Sequence, residues 1–271
     1  MIKTILAAAS GGGSDAANIA ASLALARAFD AHLDVLHVRP DPAALAVAMT
    51  TDVGSAAPTT ALLDQLERDG KAREAKARDS FTKLCPAGGD TEFHVEIGEE
   101  PQWVVRYGVT ADLIFAPRGA GEAAASRATL ETALLETGRP LIIPAAALPA
   151  TFERIAIAWK ATPPAARAVA AALPFLTRAR EVAVLIVEEE AGQGEEAEPL
   201  VRNLARHGVS AKAQPLPAGK DGAAALLAAA AGNADLLVMG GYGHSRLREW
   251  VFGGFTERAL AAAQLPVLMA H

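Results

Sequence analysis

The residues best suited to chemistry lie near the C-terminus. They are Met239-Gly240-Gly241-Tyr242-Gly243-His244-Ser245-Arg246, with nine further residues separating Gly243 from the pair Gly253-Gly254. Glycine accepts positive φ and lets backbone N–H groups approach a ligand closely. A glycine pair at a helix start adds free amides and the positive end of the helix dipole, which suits phosphate. The stretch follows the apolar run Ala234-Asp235-Leu236-Leu237-Val238. It therefore sits at the carboxyl end of a strand, where open α/β sheets bind ligands. Loop glycines also serve simply to make turns, so the residues alone leave anion binding and turn formation both standing.

Other constellations are weaker. His244 beside Ser245 suggests a base and a nucleophile, but adjacent loop residues rarely converge on one substrate atom, and no G-x-S-x-G turn is present. His244 or Arg246 fits better as a contact to a terminal phosphate, since guanidinium suits planar anions. The six histidines, His32, His37, His94, His207, His244 and His271, form no metal-ligand spacing with cysteine or carboxylates along the chain. No metal ligand and no catalytic residue is assigned. His37 reads as a satisfied core or strand-end group. Ser10-Gly11-Gly12-Gly13-Ser14 could cradle an anion, though capping of the next helix by Ser14 or Asp15 explains it more simply. The single cysteine, Cys85, excludes an internal disulfide framework and reads as a buried thiol in a reducing compartment.

Elements that must position the glycines repeat along the chain. Ile2-Lys3-Thr4-Ile5-Leu6-Ala7-Ala8-Ala9 and Glu153-Arg154-Ile155-Ala156-Ile157-Ala158-Trp159 each open a unit with a short apolar strand. An alanine-rich helix follows each, Asp15 to Phe29 and Ala165 to Arg178, and then a second strand, Leu33 to Val38 and Val182 to Val187. The tails also match: Ala111 to Phe115 with Ala234 to Val238, and Arg139-Pro140-Leu141-Ile142-Ile143 with Leu265-Pro266-Val267-Leu268-Met269. Each unit reads β-α-β-α-β-α-β-α-β, and apolar strands alternating with helices specify a parallel sheet buried on both faces. Right-handed crossovers make each a doubly wound α/β sandwich. The expectation is two tandem five-stranded domains, 1–147 and 148–271, joined by the proline-bracketed Pro144 to Pro149.

Composition agrees with that reading. The chain has 271 residues, 51% of them hydrophobic and 5% aromatic, so it can bury two α/β cores but not an aromatic-rich β-sandwich. A net charge of −6 gives no electrostatic footprint for nucleic acid or an anionic membrane. Apolar stretches such as Gly222 to Ala234 fall short of the ~20 residues a membrane span needs, and no secretory leader is visible. A cytoplasmic protein is expected.

Gly240-x-x-Gly243, nine residues, then Gly253, a helix and Leu265-Pro266-Val267-Leu268 resemble the universal stress protein family, with the chain as two tandem copies. The resemblance implies an adenine nucleotide alpha-hydrolase-like sandwich and an adenine nucleotide ligand, ATP or AMP, with Mg accompanying ATP. It implies phosphate contacts from Gly240, Gly243, Gly253 and Gly254, a backbone contact from Phe255, Met239 beside the sugar, and backbone atoms of Val187 near adenine. Two positions depart from the family pattern. Gly254 stands where Ser or Thr is usual, and Lys160 stands where an aspartate is expected. A lysine has no acceptor for the ligand's N–H and O–H groups, and Trp159 beside it reads as core packing rather than a base platform. The first half departs further. Its loop is shortened to Pro117-Arg118-Gly119-Ala120-Gly121, and it has no glycine pair, so a degenerate site is expected there.

In the family the last strands pair antiparallel across a dimer. A tandem chain can satisfy that internally as a pseudo-dimer, with Leu141-Ile142-Ile143 against Val267-Leu268-Met269, and a homodimer of whole chains stays open. Three readings follow in order of preference. The first is a stress-response nucleotide-binding sensor or signalling module; the second is a non-binding tandem scaffold; the third is a slow ATPase.

Overall fold

Short aliphatic runs become strands and alanine-rich runs become helices in the computed structural model, which describes residues 1–51, 59–116, 127–145, 151–188, 193–218, 221–241 and 264–271. Contacts divide the chain after Thr137. The first unit contains β1 (Thr4–Ala8), α1 (Asp15–Phe29), β2 (His32–Arg39), α2 (Pro42–Thr51), α3 (Thr60–Leu84), β3 (Thr91–Ile97), α4 (Glu100–Gly108), β4 (Leu113–Phe115) and α5 (Arg127–Glu136). Its strands are parallel in the order β3-β2-β1-β4. Ile5, Leu33, Val35, Leu113 and Phe115 have no exposure, which is the two-sided burial that the apolar runs require.

The second unit begins with β5 (Leu141–Ile143) and β6 (Arg154–Ala158), then α6 (Pro163–Leu176), β7 (Glu181–Glu188) and a 3₁₀ turn (Gln193–Ala197). It continues through α7 (Glu198–Arg206), β8 (Ala211–Pro217), α8 (Gly222–Asn233), β9 (Leu236–Gly240) and β10 (Val267–Ala270). The strand order is β5-β10-β9-β6-β7-β8. All neighbours are parallel except β5 and β10, which pair antiparallel with Val267 opposite Ile143, Leu268 opposite Ile142 and Met269 opposite Leu141. This is the expected internal pairing of the two last strands, and it places Leu141–Ile143 with the second unit.

One polar device recurs in both units. Asp112, just before β4, accepts hydrogen bonds on Oδ2 from the backbone N–H groups of Lys3 (2.7 Å) and Thr4 (3.1 Å) at the start of β1. Asp235, just before β9, accepts on Oδ2 from Glu153 N (3.2 Å) and Arg154 N (3.0 Å), and on Oδ1 from Arg154 Nη2 (2.7 Å). The matched Ala-Asp-Leu tails thus clamp the amino end of the central strand, whose first amides would otherwise lack acceptors.

Alanine also thins the helix faces. Ala165, Ala168 and Ala172 of α6 are buried against the sheet. The approach is closest at Gly240, where an added Cβ would lie 2.5 Å from Ala165 N and 2.7 Å from Pro164 C. A rigid helix start leaves no room for a side chain there.

Two outcomes follow from these contacts. Asp235→Ala removes three accepted hydrogen bonds and should lower stability by about 1–3 kcal/mol in urea unfolding at neutral pH. Burial alone would push the Asp235 carboxyl up, but bonds from Arg154 and the Glu153 amide outweigh it and hold the group below its ordinary range. Its folded value being the lower, this contribution is complete above the unfolded value near ~4 and disappears as pH falls through the folded one. The gap between wild type and Asp235→Ala should therefore narrow on acidification; a pH-independent gap would contradict the clamp. Gly240→Ala should cost about 1–3 kcal/mol through backbone overlap alone, and a melting temperature equal to wild type would show that α6 can retreat freely.

Candidate functional site

Ligand crevices in doubly wound sheets open where the strand order reverses, outside the carboxyl ends of the strands. In the second unit this point lies between β6 and β9, paired with Ala158 opposite Met239. On the other side of β6, Ala158 faces Leu185 of β7, and the Trp159 N–H donates to Leu185 O at 2.9 Å. The chain ends Trp159-Lys160, Val187-Glu188 and Met239-Gly240-Gly241 therefore sit at the same end of one sheet.

Of the residues expected at a nucleotide site, Val187, Met239 and Gly240 are described, and all three lie at this end. Gly243, Gly253, Gly254 and Phe255 lie outside the described residues, as do His244, Ser245, Arg246 and the first-half loop Pro117 to Gly121. Met239 is buried, at 2% exposure, so its backbone is what reaches the strand end. Val187 packs its Cγ1 against the start of α8, where a Cβ on Gly222 would come within 2.5 Å of it. Gly241 is anchored on β10: its N–H donates to Ala270 O at 2.8 Å, and its carbonyl lies 3.2 Å from His271 Nδ1.

Lys160, just past the end of β6, is exposed and carries a donor-only ammonium. Trp159 is half-buried and donates its indole N–H to Glu196 O at 3.3 Å, which ties it to the 3₁₀ turn rather than leaving its face free. The α6 start has Pro163 and Pro164 in its first two positions, and Thr162 makes no side-chain cap. Proline has no N–H. This helix therefore offers a phosphate fewer amides than a typical N-terminus.

The first unit resolves its own glycine loop differently. Asp15, 1% exposed, turns its carboxylate into the loop. Oδ1 accepts from Ser10 N and Ser10 Oγ, each at 3.1 Å, and Oδ2 accepts from Gly11 N at 2.7 Å. Ser14 is the N-cap residue but makes no side-chain cap bond. An internal carboxylate thus occupies the cradle that an external anion would need. Glu100 lies near enough for Asp15 to act on it. Burial pushes the Glu100 carboxyl up and the Asp15 charge adds to this, against a 3.3 Å hydrogen bond from Thr129 Oγ1. His37, 2% exposed, donates Nδ1–H to Ala9 O at 2.8 Å, while its Nε2 has no hydrogen-bond partner among the described residues. The expected satisfied histidine is thus satisfied on one nitrogen. Cys85 is a buried free thiol, and burial pushes it up, away from thiolate chemistry.

Spacing along the chain misses one cluster. Pairing of β2 with β3 puts Asp34 opposite Glu92, and His32, Asp34 and Glu92 each offer a ligand atom within 4.8 Å of the others. The available signal was the alternation of polar and apolar residues in His32-Leu33-Asp34-Val35 and Glu92-Phe93-His94-Val95.

No helix among the described residues is long and apolar enough to cross a membrane. Residues 178–271 match the universal stress protein family. No curated protein matches the sequence significantly. Among solved structures, a universal stress protein from Archaeoglobus fulgidus is 15% identical with a TM-score of 0.72, over 98% of this chain and 95% of that one. A putative universal stress protein from Pseudomonas aeruginosa UCBPP-PA14 is 16% identical with a TM-score of 0.63, over 99% and 93% of the two chains. A functionally unknown protein from Pseudomonas aeruginosa PAO1 is 15% identical with a TM-score of 0.61, over 99% and 92%. At these identities the likenesses establish the fold over nearly the whole chain. The similarity to the universal stress protein family is thus carried in sequence by residues 178–271, and the first half repeats the strand order of the second.

Proposed function

We propose that this is a stress-response protein whose C-terminal half binds an adenine nucleotide, ATP or AMP, and acts as a sensor or signalling module rather than as a fast enzyme. The observation that carries this reading is the meeting of Val187, Met239 and Gly240 at the strand-order reversal, where Gly240 opens the sequence that continues to Gly243, Gly253, Gly254 and Phe255. In this reading the backbone at Val187 borders the base and the amides of Gly240 to Gly254 hold the phosphates. Lys160 compensates charge on the phosphate chain in place of the carboxylate that would grip the ribose or base. Mg accompanies ATP. The site belongs to a cytoplasmic protein, and the antiparallel β5–β10 pair stands in for the strand pairing that separate copies would otherwise make.

A specific observation also supports the second reading, a scaffold without nucleotide. Pro163 and Pro164 strip the α6 start of two donors, and Lys160 supplies no acceptor.

Calorimetry on the purified full chain with ATP and with AMP separates the two. Saturable heat with a Kd below about 1 mM supports the nucleotide reading, as does adenine nucleotide released on denaturing protein purified without added ligand. Flat titrations, combined with affinity gained in Lys160→Asp with Gly254→Ser, would establish the scaffold.

A further inference from the structure

His32 and Asp34 share one face of β2, and Glu92 and His94 share the same face of its neighbour β3. Both imidazoles converge on a single oxygen: His32 Nε2 lies 3.2 Å and His94 Nε2 2.7 Å from Asp34 Oδ1. Glu92 brings a second carboxylate oxygen within 4.8 Å of His32 and Asp34. Behind them, Asp90 Oδ1 sits 2.5 Å from His32 Nδ1, and the Tyr107 ring packs against His94 with centroids 4.9 Å apart. Among the described residues no lysine or arginine pairs with Asp34, Asp90 or Glu92. Three carboxylates therefore face two imidazoles and no fixed cation.

We propose that His32, Asp34, Glu92 and His94 form a binding site for a divalent transition-metal ion, zinc being the ion their chemistry fits. Two imidazole nitrogens and two carboxylate oxygens are a nitrogen–oxygen donor set that suits zinc and disfavours magnesium or calcium, which take oxygen alone. Zinc bonds of about 2.1 Å in a tetrahedron set donors about 3.4 Å apart. The separations from Asp34 Oδ1, 3.2 Å to His32 and 2.7 Å to His94, lie just below that value, so small side-chain rotations open the donors to it. Asp90 completes the site from behind. By accepting from Nδ1–H it leaves the Nε2 lone pair of His32 for the metal, the carboxylate–histidine–metal arrangement. Tyr107 fixes the second ring and donates its own hydroxyl to Glu96 Oε1 at 2.7 Å.

The metal-free alternative needs a proton instead. With Nε2 facing Asp34 and Nδ1 facing Asp90, His32 can donate at both nitrogens only as imidazolium. Binding of zinc therefore displaces that proton and weakens on acidification. Position separates this site from the nucleotide reading, on which it does not depend. It lies in the first unit, at the amino ends of β2 and β3, whereas the glycine sequence leaves the carboxyl end of β9 in the second. With the His32 side chain 30% exposed and those of Asp34 and His94 20% exposed, the ion would be reachable from solvent and would tie β3 to the strand beside it.

The test is a zinc titration of untagged full-length protein stripped with chelator, read by calorimetry in competition with a chromophoric chelator. One equivalent should bind, magnesium should not, and cobalt should give the visible d–d bands of a nitrogen–oxygen site. His94→Gln and Asp34→Asn should each weaken zinc at least tenfold, while His207→Gln, on the exposed end of α7, should leave it unchanged. His32→Gln changes a half-buried residue at the first position of β2 and so keeps the test open if a more buried variant fails to fold. Absence of zinc binding up to about 1 mM, or binding untouched by both His32→Gln and His94→Gln, would overturn the proposal.

Discussion

Strand β10 depends on having both of its edges paired. Val267, Leu268 and Met269 have no exposure, and Ala270 has 6%, so their backbone groups have no recourse to water. One edge is taken by β9 in parallel, and the other by β5 running antiparallel. A long apolar edge left open would be a template for aggregation. Supplying the partner from the chain's own first repeat removes that hazard and draws Leu141–Ile143 into the second unit. The consequence reaches the candidate site. Ala270 pairs with Gly240 and accepts from the Gly241 N–H, so the glycine sequence leaves the sheet from a fixed point.

The two units use one construction to opposite chemical ends. Asp112 and Asp235 clamp the amino end of β1 and β6 in the same way, and an alanine-rich helix follows each central strand. At the carboxyl end they diverge. In the first unit the buried Asp15 carboxylate fills the Ser10–Gly11 amide cradle. In the second the corresponding turn carries an exposed lysine followed by two prolines that donate nothing. One loop is filled from within, and the other presents an exposed lysine.

The repeat made most of this architecture legible. Matching tails located β4 with β9 and β5 with β10, and the α1 range, Asp15–Phe29, follows from its alanine-rich apolar pattern and the glycine punctuation before it. The β5–β10 pairing was implied by the resemblance to a family whose last strands pair antiparallel, and burying two apolar edges gives it a physical reason. Side-chain convergence was not. Asp15 could be read as a cap, since an aspartate at a helix start commonly is one; its turn back into the loop depends on the φ of +78° at Gly11 that shapes the cradle. The imidazole–carboxylate cluster joins residues 60 positions apart, His94 and Asp34, and only the register between β2 and β3 brings them together. Gly243, Gly253, Gly254 and Phe255, to which the family resemblance gives ligand contacts, lie outside the described residues.

Electrostatics explains why the halves need not share a ligand. A phosphate entering the Ser10–Gly13 loop would meet the Asp15 carboxylate already bonded to the amides it seeks, at 1% exposure. Like charges at hydrogen-bond distance in so dry a place repel far more strongly than in water. Raising Glu100 above its ordinary range is the same field acting on a neighbour, added to the cost of burying that carboxyl. In the second unit the turn after the central strand carries the exposed Lys160 instead. One carboxylate turned inward is therefore enough to close the first-unit loop to an external anion.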